Sequence, residues 1–491
     1  MKKIYAIDWK AMHPNKMPTA TDQYYVGVAN EVMNILKKSG IDNVFPLDEA
    51  IRDAALRLTA WFEDICTGTG FWRTVNETCQ KRYGKPLPFY DTSEYYPGEP
   101  NPQDVALLLW DIIESWNDDR FINPENPGLL VTATKIFDIF DSEFEYAPDT
   151  DELRDYLTNP ALGIDYWATR RAMEWFSLSG YLSLHSHIML EDALDSIRDE
   201  QQRDILSYTT TLANVLIDKH NMLSLTAAEW LSAAINKPFT IDHSHLRNRL
   251  YTVVNRYATT VQFRDILTGD NVIIEEDSLN EDWLEKYSNK PGTTVSCGFI
   301  QFNDKCYQCG TMITDPDSDY IEEYKEKQHN EDYAKSLGKQ NYDHFYEASG
   351  GKHIIFLKGE KELTDFYTKK AGITVTPDFE RQLKDMVAEQ AEDGMLALMA
   401  TRDQGFLIIS LSIPAIKAPD NPFYNEDYAK KHASDLILCS DAIDYSAVCT
   451  LLENNYLPDA ALNSLKGYEY GRKMLQDNAQ FIVDYMFAEH K

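Results

Sequence analysis

Near residue 250 the spacing of apolar residues changes, and this limits the possible folds more than any other feature of the chain. Before that point apolar side chains recur every three or four positions; after it they alternate. A period near 3.6 builds helices and a period of 2 builds strands, so the chain reads as helices first and sheet afterwards. In "LDEAIRDAALRLTAWFEDI", Ile51, Ala55, Leu58, Phe62 and Ile65 share one helical stripe, and Thr67 and Gly68 supply a stop. In "NPQDVALLLWDIIESW", Asn101 is a candidate cap, Pro102 suits the first helical position and Asp104 lies in the first turn. Further helical patterns cover about 22–38, 128–141, 165–182, 198–219 and 226–235.

Beyond the change, "RYATTVQFRDILTGDNVIIEED" alternates around a Thr-Gly-Asp turn, and "TTVSCGFIQFNDKCYQCGTMI" alternates around Asn303-Asp304. Four short strands with tight turns predict a small barrel or curled sheet. Residues 316–350 are polar and charged, and are expected to form a linker or a surface helix. The last region mixes strand patterns ("HIIFLKG", and a hairpin over "MLALMATRDQGFLIISL") with helical ones ("YNEDYAKKHASDLIL", "DYSAVCTLLENN"). The expected class is α+β: a mainly helical half (1–245), a small β-barrel-like or curled-sheet module (246–315), the charged segment (316–350) and an α+β region (351–491).

Charge and composition bound the function. The chain is 43% hydrophobic and 12% aromatic, enough for packed cores. Its 79 acids outnumber 47 bases, a formal charge of -32 that argues against a nucleic-acid partner. Acids concentrate in 91–160, which reads as a solvated face or as a docking surface for a basic partner. The N-terminal residues lack the apolar stretch of a signal peptide, and no apolar run is long enough to span a membrane. Seven cysteines, an odd and scattered set, do not form a disulfide framework. A cytoplasmic location is expected.

Candidate chemistry is sparse. "CYQCG" holds Cys306 and Cys309 at the spacing of a zinc knuckle or redox pair. If Asn303-Asp304 is a hairpin turn, Gln301 faces Cys306 and Gly298 faces Cys309, so the two thiols point to opposite sides of the sheet. Cys297 shares the Cys306 face but lies roughly 13 Å along the ladder. No metal is expected there, because a structural zinc needs four converging ligands. His185 and His187, with His243 and His245, form two H-x-H pairs that could serve a metal-dependent hydrolase. On a helix, however, the rings of such a pair sit about 200° apart. "FEDICTGTGFW" contains Gly68 and Gly70 but not the other elements of a phosphate loop, and reads as a turn. "GKPLPFYDTSEYYPGEPNPQD" places five prolines among Phe89, Tyr90, Tyr95 and Tyr96. Those aromatics are the candidate surface for a protein partner or small ligand.

The segments "DWKAMHPNKMPTATDQYYVGVANEV", "WFEDICTGTGFW", "YGKPLPFYDTSEYYPGEPNPQDVALLLW", "PDNPFYNEDYAKKHA" and "LPDAAL" resemble a family of uncharacterised bacterial proteins of gut Bacteroides type, a domain of unknown function. The resemblance spans almost the whole chain. It implies a soluble bacterial protein with a helical N-terminal half, and it carries over no catalytic residue. The expected role is therefore binding, as a scaffold or adaptor without a cofactor. A metal-dependent hydrolase and an acidic inhibitor of a basic partner are the alternatives.

Overall fold

The computed structural model describes residues 3–41, 48–117, 121–195, 197, 203, 216–219, 221–243, 249–372, 380–381, 384–385, 387–388, 392–401, 405–440 and 443–488. The chain divides into two compact units, Met1–Glu322 and Glu323–Lys491.

The first unit begins with helices: α1 (Ala6–Lys10), α2 (Asp22–Lys38), α3 (Asp48–Thr67), α4 (Phe71–Tyr83), α5 (Pro102–Ser115), α6 (Pro127–Phe144), α7 (Asp151–Leu157), α8 (Tyr166–Ser179), α9 (Leu184–Asp195) and α10 (Ala227–Ala234). Helix α3 buries Ile51, Ala55, Leu58 and Phe62 and ends at Thr67, as its stripe predicts; Ile65 is half-buried. Helix α5 is buried on every side from Asp104 to Ser115, so its apolar stripe is only part of its contact surface. It is a central core helix, packed on α3, α6 and α9. Ring contacts knit the centre: Phe62 stacks on Phe140 at 4.7 Å, and Trp61 meets Trp72 edge-on at 5.9 Å. Asn101 stands at the cap position of α5, but its side chain does not cap the helix. Its Oδ1 accepts from Tyr96 N, and its Nδ2 donates to the carbonyls of Tyr96 and Glu99. The residue ties the proline-rich loop to the helix start. The pattern over 198–219 falls mainly outside the described residues.

The barrel follows in the same unit. Its elements are β1 (Ile241–Asp242), β2 (Arg249–Arg256), β3 (Thr260–Asp265), β4 (Asn271–Glu275), α11 (Glu281–Tyr287), β5 (Thr294–Phe302) and β6 (Lys305–Thr314). Strands β2, β3 and β4 form an antiparallel meander; β5 pairs with both β2 and β6, and β6 closes the ring against β4 in parallel. The predicted module is thus a closed five-stranded barrel, with β1 added beside β5. A meander, a helix and then a hairpin that closes the ring is a Greek-key arrangement of the OB type. Tyr251, Val253, Phe263, Ile274, Trp283 and Phe299 fill the interior. The Tyr166 ring of α8 stacks on Tyr307 of β6 at 3.9 Å, and Phe302 and Phe239 extend this aromatic seam.

Helix α12 (Ser318–Ala348) occupies the charged segment. The second unit has an antiparallel sheet of β7 (Ile354–Lys358), β8 (Met395–Thr401) and β9 (Gly405–Ile409), in that order. It also holds α13 (Gly359–Asp365), α14 (Glu426–His432), α15 (Asp435–Leu438), α16 (Tyr445–Glu453) and α17 (Tyr468–Met486). Phe345, Leu363, Phe366, Leu396 and Leu398 form a core there. The turn of that hairpin is expected over Arg402 to Gly405; residues 402–404 lie outside the described residues, and β9 begins at Gly405. The architecture is α+β.

Candidate functional site

The turn between α3 and α4 is organised by one carboxylate. Asp64 accepts from the Thr69 hydroxyl, from Gly70 N at 3.0 Å, from Trp72 N at 2.8 Å and from the Tyr181 hydroxyl at 2.6 Å. It thereby satisfies amides that the first turn of α4 leaves without helical partners. Gly70 has φ +98°, and a Cβ there would stand 2.7 Å from both the Ala234 carbonyl oxygen and the Arg73 guanidinium. Only glycine suits this position, by conformation and by space. The "TGTG" stretch is a turn, as its sequence predicts, and it seats Arg73 against α10: Arg73 donates to Ala234 O at 2.8 Å.

Beside this turn lies a cavity of about 800 Å³. One wall is the outward face of α4, with Arg73, Asn76, Glu77, Gln80 and Lys81; the other is the proline-rich loop, with Pro86, Thr92, Tyr95 and Pro97. Ile65 and Trp72 also line it. Of the four aromatics singled out in the loop, the structure brings Tyr95 to this cavity. Phe89 is half-buried edge-on to Trp110 at 5.1 Å. Tyr90 is half-buried and donates to Pro124 O at 2.9 Å. Tyr96 is 63% exposed.

Behind Tyr95 stands a buried polar chain. The Tyr95 hydroxyl is 2.8 Å from both Asn76 Oδ1 and Asp104 Oδ1. Two acceptors then compete for one hydroxyl hydrogen. A proton on Asp104 resolves the competition, because the neutral carboxyl can donate to the Tyr95 oxygen and free the tyrosine hydrogen for Asn76. Burial pushes Asp104 up to about 7, against the opposing hydrogen bonds of Tyr95 and Asn101. Trp72 lies close enough to favour the ionised carboxylate, although its indole N–H makes no hydrogen bond of ordinary geometry.

A second cavity, of about 360 Å³, adjoins the first at Gly68 and Arg73. Arg154 and Lys237 line it, with Thr158, Asn159 and Asn236. Lys237 Nζ donates to the carbonyls of Pro160 at 2.8 Å and Leu162 at 2.6 Å. Further into the core, His13 Nε2 meets Glu63 Oε2 at 2.8 Å, with both side chains 2% exposed. Burial opposes a charge on His13, but the Glu63 bond and the charges of Glu63 and Asp22 raise its pKa above the ordinary value.

The cysteine register is the predicted one: Gln301 pairs with Cys306 and Gly298 with Cys309. Cys306 packs against the barrel interior, the core that also holds Cys297 farther along β5, whereas Cys309 feels the charge of Arg170. Burial pushes all three thiols up, away from the thiolate form that binds metal. Protein purified without chelator is expected to hold no stoichiometric zinc; about one zinc per chain by elemental analysis, lost on converting Cys306 and Cys309 to Ser, would contradict this. His185 and His187 lie in the first turn of α9, where His187 reaches Glu191 at 3.7 Å. His243 is exposed after β1, and His245 lies outside the described residues. Among the described residues no group of three or more His, Cys, Asp or Glu is placed to hold a metal ion.

A family profile described as a protein of unknown function, DUF3843, matches residues 3–277 and 303–488. The chain belongs to the DUF3843 family. The resemblance carried by the quoted segments holds at that level. The DUF3843 match skips 278–302, which contain α11 and β5, but includes every residue named above for the two adjoining cavities. No curated protein and no solved structure gives a significant match. No helix among the described residues is long and apolar enough to cross a membrane.

Arg73, Asp104, Arg154 and Lys237 were not among the sequence candidates. Arg73 follows from placing α4, since Arg73, Glu77, Gln80 and Lys81 share its outward face. Arg154 and Lys237 reach the cleft only through tertiary packing, and local sequence carries no signal for them.

Proposed function

We propose that this chain is a cytoplasmic binding protein whose ligand site is the 800 Å³ cavity between α4 and the proline-rich loop. The supporting observation is the cavity itself: it has the size of a small-molecule site, an apolar body and a few fixed polar groups at Tyr95 and Asn76. Four prolines, Pro86, Pro88, Pro97 and Pro100, stiffen the loop wall, and Pro102 opens α5 behind it, which lowers the ordering cost of binding. In this reading Tyr95 is the contact residue of the loop, Phe89 and Tyr90 support its base, and exposed Tyr96 belongs to the rim. A metal-dependent hydrolase at the histidine pairs has no comparable geometric support among the described residues.

The test uses the neutral fluorescent probe N-phenylnaphthylamine. Saturable binding near one per chain is expected. Gln80→Trp puts an indole in the cavity from an exposed helix position. It is expected to weaken the probe by about tenfold or more, roughly 1.4 kcal/mol, with little change in melting temperature. Absence of saturable binding to the wild-type chain, or equal affinity in the variant, would defeat the proposal.

A further inference from the structure

We infer that the two adjoining cavities form one bipartite site for a phosphomonoester with an apolar or aromatic body, the phosphate lying in the 360 Å³ cleft. The inference rests on the cavity reading above and adds the chemistry of the ligand. Its first support is charge. In a chain where acids outnumber bases 79 to 47, this cleft is lined by Arg73, Arg154 and Lys237 and by no carboxylate. Arg154 is paired with Asp149 at 2.6 Å and Asp151 at 2.9 Å, so its charge is largely spoken for. Arg73 and Lys237 differ. Lys237 bonds to two backbone carbonyls, and the Arg73 guanidinium bonds to a third. The Glu77 contact of Arg73 is long, 3.9 Å, and both side chains are about half exposed or more, so it neutralises little. Two cations steered by neutral acceptors match the charge of a phosphate monoester, about -1.5 to -2 at neutral pH, better than that of one carboxylate.

The second support is shape. Gly68 lines both cavities; it has φ +69°, and a Cβ there would meet nothing within 4 Å. The junction is therefore open at the point where the phosphate ester bond would pass. Arg73 also lines both cavities, and its planar fork suits a phosphate oxygen pair on one side of that junction. The side-chain amides of Asn159 and Asn236 add neutral polar groups to the same cleft, while the Thr158 hydroxyl donates to Arg154 O.

Naphthyl phosphate and naphthol test the two halves separately by calorimetry. The phosphate is expected to bind at least about tenfold more tightly than naphthol, and inorganic phosphate should compete with the ester but not with the alcohol. Arg73→Met combined with Lys237→Met should bring the ester down to the affinity that the same variant shows for naphthol. Because Lys237 also supports the loop at Pro160 and Leu162, Asn236→Asp is the second variant. Asn236 has φ +51°, which Asp tolerates, and the change puts a carboxylate in the cleft without touching the cations. It too should abolish the preference for the ester. Equal binding of ester and alcohol by the wild-type chain, or a preference that survives both variants, overturns the phosphate inference while the cavity reading stands. If neither compound binds, both readings fail.

Discussion

Replacing Asp64 with Ala is expected to destabilise the first unit by about 3–5 kcal/mol. The carboxylate is 4% exposed and serves two backbone amides and two hydroxyls at once. Truncation removes the acceptor and leaves Gly70 N, Trp72 N, Thr69 and Tyr181 with buried donors and no partner. Such orphaned groups cost more than the bonds themselves contribute. Asp64→Asn keeps the shape but turns an amide group toward donors, so an intermediate loss is expected. Urea unfolding followed by tryptophan fluorescence measures both. A loss below about 1 kcal/mol for the Ala variant would show that water replaces the carboxylate and that the turn is not organised as described.

Stability is also expected to fall as pH rises from about 5 to 9, and Glu114→Gln should remove much of that slope. Glu114 is buried in α5; burial pushes it up to about 8 from 4.5, nearby Asp111 adds to the rise, and the amide of Ile122 opposes it. The fold therefore keeps a proton that the unfolded chain has released. A group raised in this way contributes its stability in full below the unfolded value, and loses it as pH climbs through the folded value. Each unit of displacement is worth about 1.4 kcal/mol, so this window carries on the order of 4 kcal/mol. Asp104 acts in the same direction between 3.8 and about 7, and His13 does so from 6.5 upward. The Gln variant should match the wild type near pH 5 and be the more stable chain near pH 9. Parallel pH profiles for the two would mean that Glu114 is ionised in the fold.

These buried acids mark one limit of sequence reading. The 91–160 segment looks like a solvated acidic face, yet Asp104, Asp111 and Glu114 are turned inward. Nothing local separates them from exposed neighbours, because α5 is apolar enough to be surrounded. The hairpin of β5 and β6 was legible from its turn back to the Gly298–Cys309 pair, since alternation and the Asn303-Asp304 turn are local signals; the bulge at Cys297–Gly298, which pairs Cys297 with Met312, was not. Closure of the barrel was not. It depends on β4 meeting β6 in parallel at Ile274 and Cys306, with a helix and a strand between them. The proline-rich loop announced itself by composition, and Tyr95 lies in the cavity wall. The cations of the second cleft stayed hidden, because Arg73 meets α10 through the carbonyl of Ala234, far along the chain.

The stack of Tyr166 on Tyr307 has a consequence in time. The two rings are 141 positions apart in the sequence, and a ribosome adding about 5–20 residues per second needs roughly 7–28 s to cover that distance. Throughout that interval α8 has emerged, but the hairpin that covers it does not yet exist. The nascent helical half thus carries a bare aromatic patch for far longer than helices take to form. The interval in which a chaperone has most to shield is set by how late β6 is synthesised, rather than by how fast any element folds.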